Sequence, residues 1–323
     1  MHTNPQRRRL LLGGCALVLP LPGRAADYPS LKPIRMVVPF APGGSSDVVG
    51  RLIGVKIAAS LKQTVVVDNR AGAGGTIGSD IVAKATPDGY TLLLVDALHI
   101  VSPLFNRNTL YDPIKDFTPL AMIAKSPVFL ACNAGFEART LAALIALARK
   151  EPGRITIGLP GSGSIVVEML KLRSKAQFTL VPYKGGAPAV NDLVSGNIDL
   201  MAATIATFSG FVKSGRLRLL ATSGSTRHPD YPEVPTFAEA GMPGIEYEQW
   251  FGMMAPAKLP RLIGDSLGAA LFDAIKEPEV RERFNRLALD SFFLGPREFS
   301  ARVLDDSARW QKVAADAGIK PID

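Results

Sequence analysis

The sequence predicts an α/β protein of two lobes joined by a hinge, each lobe built on a mainly parallel sheet. Three observations carry that expectation. From residue 28 onward short β-rich runs alternate with helix-length amphipathic segments, the order that crossover βαβ units produce. Nine or more strands are too many for one open sheet of ordinary width. Setting aside an N-terminal leader leaves about 298 of the 323 residues, enough for two domains with substantial cores.

The leader comes first. Arg7, Arg8 and Arg9 precede an uncharged stretch over residues 10–22 that ends in Gly23-Arg24-Ala25. This is the build of a signal peptide over residues 1–25, and it sends the mature chain to the periplasm. Arg7 to Leu11 also fits the twin-arginine pattern, so the Sec and Tat routes both stay open. Only three leucines precede Cys15, too short an apolar run for a lipoprotein leader. No later apolar run reaches the roughly 18 residues that a membrane crossing requires.

The elements then follow in order. Residues 34–40 read as a strand and 47–61 as a helix, and further strands are expected at 65–68, 92–95, 128–131, 155–157, 178–181, 198–201 and 217–221. Thr140 can cap a helix over 141–150, while Pro188 can start one that Gly196 ends. A strand around 247–254 and helices near 260–276, 278–287 and 296–317 complete the chain. Pro127 and the Pro/Gly-rich stretch 229–244 are the strongest punctuation. They divide the chain into a first lobe of residues 26–126 and 223–323 and an inserted second lobe of residues 127–222. A discontinuous first lobe leaves two crossings between lobes, which is the wiring of a hinge.

Composition removes several function classes. The formal charge is +8, and the leader's four arginines account for half of it. The remaining surplus is spread along the chain, so a nucleic-acid partner is not expected. Cys15 lies in the leader and Cys132 stands alone in the mature chain, within the apolar run 128–132, so no intramolecular disulfide can form. His99 and His228 are far apart and show no metal-ligand spacing. There is no P-loop, Ile77 stands where a dinucleotide fingerprint needs its third glycine, and no serine has glycines two residues away on both sides. No catalytic residue, metal or cofactor is therefore expected.

Four loops concentrate glycine beside short hydroxyls at the C-terminal ends of strands, where open α/β sheets bind ligands. They are Pro42-Gly43-Gly44-Ser45-Ser46-Asp47, Gly72-Ala73-Gly74-Gly75-Thr76, Pro160-Gly161-Ser162-Gly163-Ser164 and Tyr183-Lys184-Gly185-Gly186. Glycine lets a ligand approach the backbone, and the helix that follows the first loop turns its unpaired N-H groups and positive dipole end toward an anion. Ser45 and Ser46 can cap their helix or reach a ligand oxygen. Matched loops in both lobes describe a cleft that grips a small anion from two sides.

The stretch 39–47, Pro-Phe-Ala-Pro-Gly-Gly-Ser-Ser-Asp, resembles the receptors of tripartite tricarboxylate transporters, the Bug family of periplasmic binding proteins. The similarity continues through Asn69 to Gly78, Pro87 to Leu92, Asp116 to Pro119, Val181 to Gly185, Pro235 to Gly241 and Trp250 to Gly252, covering the mature chain. The resemblance implies a type II-like Venus-flytrap fold without catalysis and a carboxylate ligand held mostly by backbone amides and waters. It also implies a permease of the tripartite tricarboxylate type as partner, with a sensor-kinase ectodomain as the alternative, and a monomeric receptor. On matching positions, Phe40, Gly43, Gly44, Ser45 and Asp47 would form one binding loop, Gly74 and Gly75 a second, and Gly161, Ser162, Gly163 and Ser164 the facing one. Ala97 and Thr204 would line the pocket, and Tyr183 would supply a wall.

Two departures from the family pattern stand out. Val167 replaces a common histidine, and Ala202-Ala203 replaces a common acid after the strand at 198–201. Both remove polar groups, so the distal half of the pocket is expected to be more apolar than in citrate-type receptors and to favour a compact aromatic or short aliphatic acid.

Overall fold

The computed structural model describes residues 28–105, 109–161 and 163–316; the expected signal peptide and Ser162 lie outside the described residues. In chain order the first segment is β1 (Ile34–Val38), α1 (Ser45–Leu61), β2 (Val65–Asn69), α2 (Thr76–Ala83), β3 (Thr91–Asp96), α3 (Leu98–Phe105) and β4 (Phe117–Pro127). The second is β5 (Phe129–Asn133), α4 (Leu141–Lys150), β6 (Thr156–Leu159), α5 (Gly163–Ser174), β7 (Thr179–Pro182), α6 (Gly186–Ser195), β8 (Leu200–Ala203), α7 (Ile205–Lys213) and β9 (Leu217–Thr222). The third is β10 (Glu248–Pro256), α8 (Arg261–Lys276), α9 (Pro278–Arg286), β11 (Asp290–Leu294) and α10 (Pro296–Asp316).

The strands form two sheets, one ordered β11-β4-β10-β3-β1-β2 and the other β7-β6-β8-β5-β9. Both are mixed, which corrects the expectation of mainly parallel sheets. β1 runs parallel to β2 and β3, and β6 parallel to β7 and β8. The antiparallel pairs are β10 with β3 and β4, β11 with β4, and β5 with β8 and β9. The wiring between lobes explains two of them. β4 leaves the first sheet and continues into β5 through Val128 alone, and β9 brings the chain back toward β10. Outgoing and returning strands lie side by side, so β4 must oppose β10 and β5 must oppose β9.

Ser223 fastens the two crossings together. Its hydroxyl accepts from the Val128 N-H at 2.9 Å and donates to the Tyr247 carbonyl. Its backbone N-H donates to Val128 O, and its carbonyl accepts from the Tyr247 N-H. Hinge strands cannot slide past one another while these bonds hold.

Local chemistry explains most helix boundaries. Thr140 caps α4 by accepting the Ala143 N-H at 3.2 Å, and Gly196 ends α6 in the left-handed conformation with φ 78°. The C-terminal helix is tied back where Trp250 Nε1 donates to Asp306 at 2.8 Å. α1 and α8 pack on one face of the first sheet, with Ile53, Ile57, Leu267 and Leu271 fully buried. Cys132 is buried in β5.

Candidate functional site

The turn from β1 to α1 is shaped by Asp47. Its carboxylate accepts the Gly43 N-H at 2.9 Å and the Asn69 amide at 3.0 Å, and it pairs with Arg51. Asn69 also donates to the Phe40 carbonyl at 3.0 Å. Burial pushes the Asp47 carboxyl upward, but the bonds from Arg51, Gly43 and Asn69 outweigh it and hold the group below the usual carboxylate range. Asp47 therefore stays ionised and fixes the loop.

That loop presents the N-terminus of α1 to the opposite lobe. Gly44 is the N-cap and has no side chain to satisfy the first-turn N-H groups. Ser45 does not cap the helix; its hydroxyl lies 2.7 Å from Thr204 Oγ1 and 2.9 Å from Thr207 Oγ1 in the second lobe. The backbone also bridges the cleft, with the Ala41 N-H donating to Lys184 O at 3.0 Å. Gly44 approaches Gly186 so closely that a Cβ on Gly44 would stand 3.2 Å from the Gly186 nitrogen. A side chain at Gly44 would force these loops apart by a few tenths of an ångström or more.

Three helix starts converge here. Gly44, Ser45 and Ser46 from α1, Gly163 from α5 and Gly186 from α6 line one small inner chamber of about 30 Å³. Gly163 has no alternative, because a Cβ there would lie 2.0 Å from the Ala202 carbonyl oxygen. Phe40, Pro160, Gly161, Asp96, Ala202, Ala203, Thr207 and Gln249 complete the lining. Each helix start carries a partial positive charge and N-H groups directed outward along the axis, so the chamber favours an anion from both lobes at once.

Phe40 and Gly161 separate the inner chamber from a larger outer one of about 510 Å³. A Cβ on Gly161 would touch Phe40 Cε1 at 3.5 Å, and one on Gly75 would touch Phe40 Cζ at 3.4 Å. The ring is thus wedged between loops of both lobes. The outer walls are mainly apolar, including Leu98, Val101, Leu159, Ile165 and Leu180, with Ser102, Glu168 and Lys184 among them. Tyr183 stands here with its hydroxyl committed to Asp192 at 2.6 Å. Burial and that carboxylate push the phenol up to about 12, so it remains protonated.

The residues singled out by sequence divide accordingly. Phe40, Gly44, Ser45, Gly161 and Gly163 line the inner chamber, while Gly74, Gly75, Ser164 and Tyr183 line the outer one with Phe40 and Gly161. Gly43, Asp47 and Thr204 line neither; they hold the loops in place. Ala97 is fully buried in the hydrophobic core, because the residue that reaches the chamber is its neighbour Asp96 at the end of β3. Val167 is likewise buried on the core side of α5, so its replacement of a histidine does not alter the chamber lining, whereas Ala202 and Ala203 do line it.

Sequence reasoning missed Asp96, Thr207 and Gln249, while Ser46 and Gly186 stand in loops it singled out. Asp96 carried a usable signal, as the one acid closing an otherwise apolar strand. Gln249 did not, because only strand pairing brings it to the chamber. The histidines are structural. His99 is buried between Ser79 Oγ at 3.1 Å and Pro113 O at 3.1 Å, and burial lowers its pKa to about 4. His228 packs beside Phe129 and Tyr231. Among the described residues no three His, Cys, Asp or Glu side chains come together as a metal cluster, and no helix is long and apolar enough to cross a membrane.

Comparison with known proteins agrees with this geometry. The tripartite tricarboxylate transporter family receptor model matches residues 49–319. The structure of the periplasmic binding protein BugD is similar, with 32% identity and a TM-score of 0.88 over 91% of this chain and 100% of that one. MatC from Rhodopseudomonas palustris, solved with bound malate, shares 32% identity at a TM-score of 0.85, covering 88% of this chain and 99% of its own. Rpa4515 of R. palustris, solved with adipate, shares 33% identity at a TM-score of 0.87, covering 92% and 100%. The two lobes, the cleft of opposed helix starts and these likenesses lead to one assignment: the chain belongs to the tripartite tricarboxylate transporter receptor family, whose members are periplasmic solute-binding receptors and not enzymes.

Proposed function

We propose that this receptor captures a small organic carboxylate in the inner chamber and delivers it, as a monomer, to a membrane permease of the tripartite tricarboxylate type. In this reading residues 1–25 export it through the Sec or Tat route. The observation that carries the reading is the meeting of the α1, α5 and α6 N-termini around one chamber. A carboxylate accepting several fixed N-H groups gains about 1.5 to 3 kcal/mol per charge-assisted bond, more than an exposed ion pair supplies. Malate in MatC and adipate in Rpa4515 support a carboxylate as the ligand class.

The mechanism follows from where the donors stand. One of the three helix starts belongs to the first lobe and two to the second, so the ligand completes its shell only when the lobes close. Its differential affinity for the closed form then drives the population toward closure. The carboxylate sits among the helix starts, and the ligand's body extends past Phe40 into the apolar outer chamber. Calorimetry with a panel of carboxylates and their neutral amides tests this directly. Micromolar binding of at least one acid, with its amide silent, is expected; a panel of neutral solutes that bind while every acid fails would sink the proposal.

A further inference from the structure

Resting on the carboxylate reading, the structure also points to side chains that hold the carboxylate beside the backbone. We infer that the Gln249 amide and the Ser46 hydroxyl donate to the bound carboxylate, so that the first lobe reads the ligand with two neutral side chains as well as with the start of α1.

Among the described residues, the hydroxyl and amide side chains that line the inner chamber are Ser45, Ser46, Thr207 and Gln249. Ser45 is committed to Thr204 and Thr207, and Thr207 to Ser45. Ser46 and Gln249 remain. Ser46 is 6% exposed and Gln249 5%, yet among the described residues neither side chain has a hydrogen-bond partner. The cross-strand neighbour of Gln249, Ser126 on β4, donates instead to Ala288 O at 2.8 Å.

Buried hydroxyls and amides are rarely left without a partner, because an unmade bond costs the group its hydration. A carboxylate entering the chamber supplies what both lack: its two oxygens offer about four acceptor sites, and each of the two side chains carries a donor. Their placement suits the role. β10 is an interior strand between β3 and β4, so Gln249 stands on a rigid support, and Ser46 lies in the first turn of α1, beside the serine that bridges the lobes. None of the described lining residues is a lysine or an arginine. Neutral donors and helix starts therefore supply the attraction, and a glutamate in place of Gln249 would meet the guest as a like charge.

The test is calorimetry of the mature protein and three variants with malate, adipate and benzoate. Gln249→Leu and Ser46→Ala break no bond within the protein, so each should melt within a few degrees of the wild type. Each loses one charge-assisted bond to the ligand, so affinity for any acid that the wild type binds should fall roughly tenfold to hundredfold. Gln249→Glu adds a readout that a purely structural role would not move. At about pH 8 it should bind no acid, and its deficit relative to the wild type should shrink at least tenfold by about pH 5.5, as the new carboxyl takes up a proton beside the anion. Comparison with the wild type at each pH cancels the titration of the ligand and of Asp96, which lines the same chamber in both proteins. Affinity within twofold of the wild type in Gln249→Leu or in Ser46→Ala, or a Gln249→Glu deficit that ignores pH, overturns the inference and leaves the carboxylate reading standing. A wild type that binds none of the three acids overturns the carboxylate reading itself, and the inference with it.

Discussion

The Ser45 and Thr204 hydroxyls lie 2.7 Å apart although 159 residues separate them, and they belong to opposite lobes. Thr207 adds a second contact at 2.9 Å, so one serine side chain links the first lobe to the start of α7. These bonds exist only when the lobes are together. They therefore weight the closed form without needing a ligand, and a ligand meets a receptor already biased toward closure.

Ser45→Ala removes that bias. Each of the two lost hydrogen bonds costs about 0.5 to 1.5 kcal/mol net, so together they correspond to a roughly fivefold to hundredfold weaker ligand affinity. Small-angle scattering of the ligand-free variant should show a larger radius of gyration than the wild type. Identical scattering profiles and equal affinities would remove the latch from the closure mechanism.

Gly44→Val addresses the cleft more severely. The residue has an extended backbone with φ −84°, which valine adopts without strain, so the fold of the first lobe should persist. Closure is what fails, because the new Cβ meets the Gly186 nitrogen at 3.2 Å and valine's two methyl groups reach further. Ligand binding by calorimetry should fall at least a hundredfold while the melting temperature stays within a few degrees. Retained affinity would show that the two loops need not meet.

His99 makes stability depend on pH. The unfolded chain takes up a proton near pH 6.5, whereas burial lowers the folded-state value to about 4. Between those limits the unfolded state binds more protons, so stability is full above pH 6.5 and declines as the pH falls toward 4. The span corresponds to about 3 kcal/mol at most. His99→Gln should flatten the dependence of the urea midpoint on pH across this window. Equal slopes for the two proteins would assign the pH response elsewhere.

How far the sequence reveals these features depends on whether they are local. The cap at Thr140, the stop at Gly196 and the helix over 141–150 follow from neighbouring residues, and they were legible. The glycine loops were legible too, because their chemistry and their place after strands are both written in order. β4 was not, since Pro119 lies within it and Pro127 ends it, and proline argues against a central strand. The mixed sheets escaped notice for the same reason that β4 did: without the outgoing strand, its antiparallel return is invisible. Asp96 and Gln249 reach the chamber only through the pairing of β3 with β10, across more than 150 residues of chain. Ala97 was one position away from the residue that mattered, and alternation along the end of a strand decided between them.

Ser223 offers the sharpest test of the hinge. It is buried at 1% exposure, and its hydroxyl serves Val128 on one crossing and Tyr247 on the other. Ser223→Ala leaves the Val128 N-H without that acceptor and the Tyr247 carbonyl without that donor, in a place water reaches poorly. An unsatisfied buried group costs about 1 to 3 kcal/mol, and each kcal/mol lowers the melting temperature of a chain this size by roughly 2 to 4 °C. A fall of about 3 to 10 °C is therefore expected by calorimetric scan. Residues of the inner chamber are untouched, so a saturating ligand should still raise the melting temperature of the variant by an increment close to that of the wild type. If the variant melts with the wild type, the hydroxyl bridges are incidental, and the crossings are held by their strand pairing alone.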